Sequence, residues 1–254
     1  MVNVLVCIKR VPETSGEILL SQDARSIDAR HVGYTLSEHD ECAIELGVGL
    51  AADTGGDVRV LSIGTAEAAE QLRHAVALGA GAATLITVDP ETYGPADVAA
   101  TIAAEVRASE TTYDLILVGN DAADTGDFQV GVRLGYALER PVLTGINTAE
   151  IHGSSVQARG AGPQGTDVFE VPLPAVIAVQ EGGVEPRYPS IRGRIKAKRL
   201  TIDRKDSHIE PVGSGRIRLT LPPAKPSTVQ ILGEGPDAVP ALVEVLAASG
   251  VLNR

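Results

Sequence analysis

Two stretches of this chain hold residue types whose spacing could do chemistry. The first is Gly119-Asn120-Asp121-Ala122-Ala123-Asp124-Thr125-Gly126-Asp127-Phe128-Gln129-Val130-Gly131, which follows an apolar strand-like run and opens a helical pattern. Small residues let a backbone approach a phosphate, and a helix N-terminus offers N–H groups without helical acceptors. Its three aspartates would repel an anion unless they cap amides or face a ribose. The chemistry in view is nucleotide binding; a polar strand-to-helix turn is the plain alternative.

The second stretch runs Glu185-Pro186-Arg187-Tyr188-Pro189-Ser190-Ile191-Arg192-Gly193-Arg194-Ile195-Lys196-Ala197-Lys198-Arg199. Two prolines stiffen it and Gly193 frees it again. Ile191 stands among Arg187, Arg192, Arg194, Lys196, Lys198 and Arg199, on a chain with 33 acidic against 22 basic residues. A rigid loop over residues 181–199, with an apolar tip in a basic collar, suits docking, because loops on a scaffold carry recognition. A basic surface loop without a partner is the alternative reading.

No nucleophile and base are spaced to act together. Ser62 and His74 lack a G-x-S-x-G setting, and His39 beside Asp40 and Glu41 reads as the start of a helix. No G-x-G-x-x-G follows the first strand and no G-x-x-x-x-G-K-[ST] occurs, which disfavours NAD-type and P-loop chemistry. A net charge of −11 argues against nucleic acid, whose phosphates demand a basic footprint. Cys7 and Cys42 form no C-x-x-C pair and no metal-ligand spacing. A reduced, cytoplasmic protein with neither leader nor membrane insertion is expected.

The elements that must position these stretches alternate. Strands are expected at 2–8, 57–63, 84–88, 114–118 and 142–146, with helices at 38–52, 66–78, 97–108 and 131–138. Ser37 caps the first helix, Gly79 stops the second and Pro141 ends the last. With 44% apolar and 3% aromatic residues, the core is aliphatic. Repeated βα units predict an α/β, doubly wound, mostly parallel sheet, Rossmann-like and of an adenine-nucleotide-binding type. Residues 10–36 form a long excursion in which Ile18-Leu19-Leu20 suggests a small hairpin at the sheet's edge. Beyond residue 150 the rhythm becomes a β-hairpin extension, with runs at 149–152, 156–159, 166–171 and 175–179. The division expected is 1–200 for the nucleotide-binding domain and 201–254 for an extended C-terminal arm ending in a helix at 238–248.

These residues resemble the β subunit of electron transfer flavoproteins. The resemblance runs through Val4-Leu5-Val6-Cys7-Ile8-Lys9-Arg10-Val11-Pro12, Ser62-Ile63-Gly64, Leu72-Arg73-His74-Ala75-Val76-Ala77-Leu78-Gly79-Ala80, the Gly119–Gly131 loop, Leu173-Pro174-Ala175-Val176 and the basic segment. It implies a heterodimer with an α subunit that holds most of the redox FAD. Dehydrogenases reduce that flavin, and a quinone oxidoreductase or a similar acceptor receives the electrons, so the β subunit is an electron-carrier subunit with no reaction of its own. It further implies AMP in this chain at Cys7, Ser37, Glu38, His39, Asp40, Ile63 and Gly119 to Val130. Dehydrogenase docking falls on Ile191, with Arg187, Tyr188, Arg192, Lys196 and Lys198 around it. The long C-terminal arm that closes in a helix suits packing on the α subunit, with packing back on its own domain as the equal alternative.

The sequence also departs from the family pattern. Ser37-Glu38-His39 stands where N-P-[FY] is common, Asn120 replaces a lysine, Val130 a threonine, and Ile191-Arg192 a Leu-Pro. An aromatic that covers the flavin in some members falls near Thr14. Val130 is similar to members with a second FAD in the β site, which bifurcate electrons or are linked to NADH. That alternative stays open, as does a stand-alone adenine-nucleotide-binding module.

Overall fold

A computed structural model describes residues 1–13, 15–16, 18–215, 217–223 and 229–253. Thr14 and part of the Pro-rich tail lie outside the described residues. The chain divides into two compact units, Met1–Leu219 and Thr220–Arg254.

In the first unit, β1 (Val4–Ile8) is buried along its whole length. Its alternate side chains feed two cores, as the period of two in a strand requires. After β2 (Val11–Pro12) and β3 (Tyr34–Thr35), which pair antiparallel, comes α1 (Glu38–Thr54). The Ser37 hydroxyl accepts the Asp40 N–H at 3.1 Å, and Glu38, Asp40 and Glu41 favour the positive end of the helix. There follow β4 (Val58–Gly64), α2 (Ala69–Leu78), β5 (Ala82–Thr87), α3 (Pro95–Ala108), β6 (Leu115–Gly119) and α4 (Val130–Leu138). Then come β7 (Val142–His152), β8 (Ser155–Gly162), β9 (Gly165–Pro172), β10 (Ala175–Val179), α5 (Ile191–Arg199) and β11 (Asp203–Asp206).

Nine of these strands form one sheet in the order β11-β5-β4-β1-β6-β10-β7-β8-β9. All neighbours from β11 through β7 run parallel; β8 and β9 are antiparallel additions at one edge. Val4, Val6 and Ile8 pack with Ile44 of α1 and Leu72 of α2 on one face, whereas Leu5 and Cys7 pack with Ile102 of α3 and Leu134 of α4 on the other. The doubly wound α/β expectation therefore holds. The chain winds outward from β1 to β4 and β5, then crosses to β6 on β1's other side. The switch point lies between β1 and β6, where doubly wound sheets open a crevice beyond their carboxyl ends.

Four sequence expectations need correction. The pieces at 142–146 and 149–152 are one strand, β7, which pairs parallel with β10 and then antiparallel with β8; its register shifts on either side of Ile146. The run at 175–179 is no hairpin strand but inserts between β6 and β7. The hairpin expected near residues 18–20 is reduced to a single bridge between Leu20 and Ile27, with Leu19 exposed. Residues 191–199 are helical rather than a loop: Ser190 Oγ accepts the Gly193 N–H at 3.0 Å and caps α5. Gly193 serves close packing, not freedom, because a Cβ there would collide with the Ala77 carbonyl of α2.

Within the C-terminal arm, expected to be extended before its helix, residues 203–206 form β11 at the sheet edge beside β5. The second unit carries α6 (Val239–Ala248), preceded by a 3-10 turn at Gly235–Ala238; no residue of α6 is buried. No helix among the described residues is long and apolar enough to cross a membrane.

Candidate functional site

Asp40 fastens the two walls of the switch-point crevice. It lies in the first turn of α1, 5% exposed, and its Oδ2 accepts the Lys9 N–H beyond β1 at 2.9 Å. The Gly119 N–H at the end of β6 also reaches this carboxylate. Burial raises the Asp40 carboxyl to about 7, while the amides of Lys9 and Gly119 and the Lys9 charge pull the other way. Gly119 is required here: a Cβ would sit 2.5 Å from Asp40 Oδ1. Cys7 lies beneath, buried, its thiol pushed far up by burial and then by the Asp40 charge, so it stays a neutral thiol. Ile63 is partly buried at the end of β4 against the core shared with α3 and α4. Ser37 is spent on the cap, and Glu38 is exposed.

The loop between β6 and α4 separates its three aspartates. Asp124 pairs with Lys9 Nζ at 2.6 Å, which cancels one negative charge at the mouth. Asp121 Oδ1 is buried without a partner, and Asp127 is half-buried. Thr125 and Gly126 both donate their N–H groups to the Ala122 carbonyl, forming a tight turn with Gly126 at φ +64 and Ala123 exposed. Phe128 is exposed and adopts φ +38. Gln129 precedes α4 and spends its side chain on Arg133 rather than capping the helix. The first N–H groups of α4 are consequently left without a side-chain acceptor. Val130 packs against the core beneath α3 and α4.

Asn120 behaves differently from a ligand-facing lysine. Its backbone N–H donates to Val179 O at 2.9 Å and its Nδ2 to Gln180 Oε1 at 3.0 Å; its Oδ1 accepts the Gly145 N–H at 2.8 Å. Asn120 thus pins β6 to β10 and β7.

Among the described residues, six buried side-chain polar atoms lack a partner, and four of them belong to this end of the sheet. They are Arg10 Nε, His39 Nδ1, Asp121 Oδ1 and Thr125 Oγ1. Buried polar atoms are nearly always satisfied in folded proteins, so a cluster of orphans marks a place where something else supplies the bonds. Arg10 was missed from sequence although it is two residues beyond β1; its guanidinium lies 3.5 Å from the Tyr34 ring centroid. Gln180 was not singled out in the sequence; right after an apolar strand, it and Glu181 link Asn120 to His39 at the root of the basic segment.

The basic segment is also seated against α1. Glu45 of α1 accepts from Arg187 Nε at 2.8 and 2.9 Å and pairs with its terminal nitrogen. Burial opposes ionisation of Glu45, yet the Arg187 guanidinium and amide hold its carboxyl below the usual value. Lys196 Nζ donates to Ala80 O at 3.0 Å, and Arg73 of α2 donates to the carbonyls of Ala197 and Leu200. Arg187 and Lys196 are thus anchors of the segment. Tyr188 and Ile191 project, 95% and 79% exposed, with Arg192 and Lys198 exposed near them.

The architecture defines a doubly wound α/β protein of Rossmann-like topology whose switch point lies between β1 and β6. Comparison with known proteins places it further. Residues 26–207 match the family model described as Electron transfer flavoprotein domain. The chain is 30% identical to the electron transfer flavoprotein subunit beta of Bacillus subtilis, over 96% of this chain and 97% of that protein. It is 32% identical to the subunit beta of Syntrophomonas wolfei, over 91% and 90% of the two chains. With that of Thermoanaerobacterium thermosaccharolyticum the identity is 34%, over 77% and 74%. This chain belongs to the electron transfer flavoprotein family.

Proposed function

We propose that this chain is the β subunit of a cytoplasmic electron transfer flavoprotein heterodimer and holds AMP in the crevice between β1 and β6. The observation that carries the nucleotide reading is the cluster of orphaned polar atoms on Arg10, His39, Asp121 and Thr125 at the switch point. Their chemistry fits an adenine nucleotide. Arg10 and the uncapped start of α4 suit phosphate oxygens, and Asp121 suits ribose hydroxyls. Lys9 on Asp124 keeps one carboxylate from opposing the phosphate.

The redox chemistry belongs to FAD bound mainly by the α subunit, which takes electrons from dehydrogenases and passes them singly to a quinone oxidoreductase or a similar acceptor. This chain contributes shape and docking. Tyr188 and Ile191 present apolar surface within Arg192, Arg194 and Lys198, and the anchors Arg187 and Lys196 fix it to α1 and to the turn after α2. The apolar helix α6, with nothing buried, packs on the α subunit.

A second reading, in which the crevice takes FAD in a bifurcating or NADH-linked complex, is favoured by one observation. Val130 faces the core and supplies no hydroxyl to a phosphate at the start of α4. The experiment is direct: co-express the chain with its α partner, denature the purified complex, and quantify nucleotides. One FAD with one AMP per heterodimer is expected. Two FADs without AMP would replace AMP by the second reading. A chain that forms no yellow complex would favour the stand-alone module instead.

A further inference from the structure

The docking segment and the crevice share one wall, and the contacts along it fall in register. On α1, His39, Cys42 and Glu45 stand three residues apart and form one stripe of the helix. Along the segment leading to the docking tip, their partners are Glu181, Val184 and Arg187, also three apart. His39 Nε2 lies 2.5 Å from Glu181 Oε2, Cys42 Sγ donates to Val184 O at 3.5 Å, and Glu45 carries Arg187.

The root of this segment is tied to the crevice from its other side as well. Asn120, the first residue of the β6–α4 loop, donates to Gln180 Oε1, and Gln180 Nε2 donates to both oxygens of the Glu181 carboxylate at 3.1 Å. That carboxylate then meets His39, whose other ring nitrogen, Nδ1, is one of the orphaned atoms of the crevice. The chain of polar contacts Asn120–Gln180–Glu181–His39 therefore begins and ends in the crevice, while its middle is the root of the docking segment.

We infer that a nucleotide in the crevice sets the docking segment: by engaging the His39 ring and the Asn120 loop it locks the Glu181 carboxylate and, through the α1 stripe, the position of Tyr188 and Ile191. Gln180 and Glu181 are positioning residues in this scheme. The inference rests on the nucleotide reading above, and it requires more than a nucleotide that merely fills space. Coupling between sites is a difference in free energy, so the ordering of the segment must differ between loaded and empty protein.

The test is amide hydrogen exchange on the intact heterodimer, stripped of nucleotide and reloaded with AMP, with AMP binding measured by calorimetry on the same samples. In the wild type, AMP is expected to slow exchange of residues 181–190 at least about fivefold, the lower end of ordinary coupling. In Gln180→Leu the AMP-dependent change should fall below about twofold while AMP still binds, because the relay is cut outside the crevice. Glu181→Ala, a partly exposed position, should do the same if Gln180→Leu fails to fold. Glu45→Gln should speed exchange near Arg187 with and without AMP yet keep the AMP response at 181–184. AMP that binds without altering exchange at 181–190 overturns the coupling and leaves the nucleotide reading standing. Absence of AMP binding to the wild type removes both. An AMP response that survives in Gln180→Leu and Glu181→Ala overturns the relay.

Discussion

At the scale of single residues, Asp40 ties the ends of β1 and β6 together. One buried carboxylate receives the N–H of Lys9 and of Gly119, so it holds together two strand ends that no sheet hydrogen bond joins beyond this point. Asp40→Asn presents an amide N–H to one of these donors, and leaving one buried donor unpaired costs about 1–3 kcal/mol. The pH dependence has a definite sign. Burial raises the folded-state carboxyl to about 7 from an ordinary 3.8, so the folded state holds its proton where the unfolded chain has released it. That contribution is complete below the unfolded value and is lost as pH rises through about 7. The stability advantage of the wild type over Asp40→Asn should therefore shrink from pH 5 to pH 8.5, by at most about 1.4 kcal/mol per pH unit. Urea midpoints of both proteins across that range measure it; an advantage that grew with pH would mean that the folded protein holds the ionised carboxylate preferentially.

At the scale of elements, α5 is stable because of where it sits. A nine-residue helix with five basic side chains has little tendency to persist in isolation. Its Ser190 cap, the close approach of Gly193 to α2, and the Lys196 bond to Ala80 O hold it in place. Gly193→Ala should push α5 off α2, costing about 1–3 kcal/mol of stability and weakening dehydrogenase docking together. Ile191→Ala, at a position 79% exposed, should leave the melting temperature nearly unchanged and still weaken docking by about 2 kcal/mol, roughly thirtyfold. Thermal melts beside kcat/KM for dehydrogenase-driven flavin reduction separate the two; unchanged kinetics in Ile191→Ala would remove it as the anchor. The same element shows what sequence could convey. The βα alternation, the Ser37 cap and the Gly79 stop were legible because periodicity and capping are local. The helix at 191–199 was not, since a glycine among basic residues reads as loop until α2 lies beside it. Nor was the place of β10 between β6 and β7, because strand order is set by contacts far apart in the chain. In the crevice, the small and acidic residues of 119–130 announced themselves, whereas Gln180 acquires its role only by meeting Asn120, 60 positions away.

At the scale of the whole molecule, charge and apolar surface are unevenly divided. The chain carries a net −11, yet α5 holds five basic side chains, so under the proposed docking role an acidic partner surface would be steered to this helix and repelled by the rest of the body. The second unit shows the same economy with apolar groups. Helix α6 reads Val-Pro-Ala-Leu-Val-Glu-Val-Leu-Ala-Ala, has no buried residue, and leaves Val239, Leu242, Val243 and Val245 between 42% and 53% exposed. Ten residues are too few for a helix to be stable alone in water, and this much uncovered aliphatic surface is characteristic of a contact with another chain. If the α subunit covers it, Leu242→Asp combined with Val245→Asp forces two charges into an apolar contact. The penalty should reach about 3 kcal/mol or more, on the order of a hundredfold weaker assembly. Both side chains are exposed in this chain, so its own fold and its crevice should survive the substitutions. Analytical ultracentrifugation of the co-expressed pair, with circular dichroism of the variant chain as the control, measures the difference. A heterodimer that assembles as tightly with both aspartates in place would show that α6 lies outside the interface, and would leave the apolar face of the second unit in need of another partner.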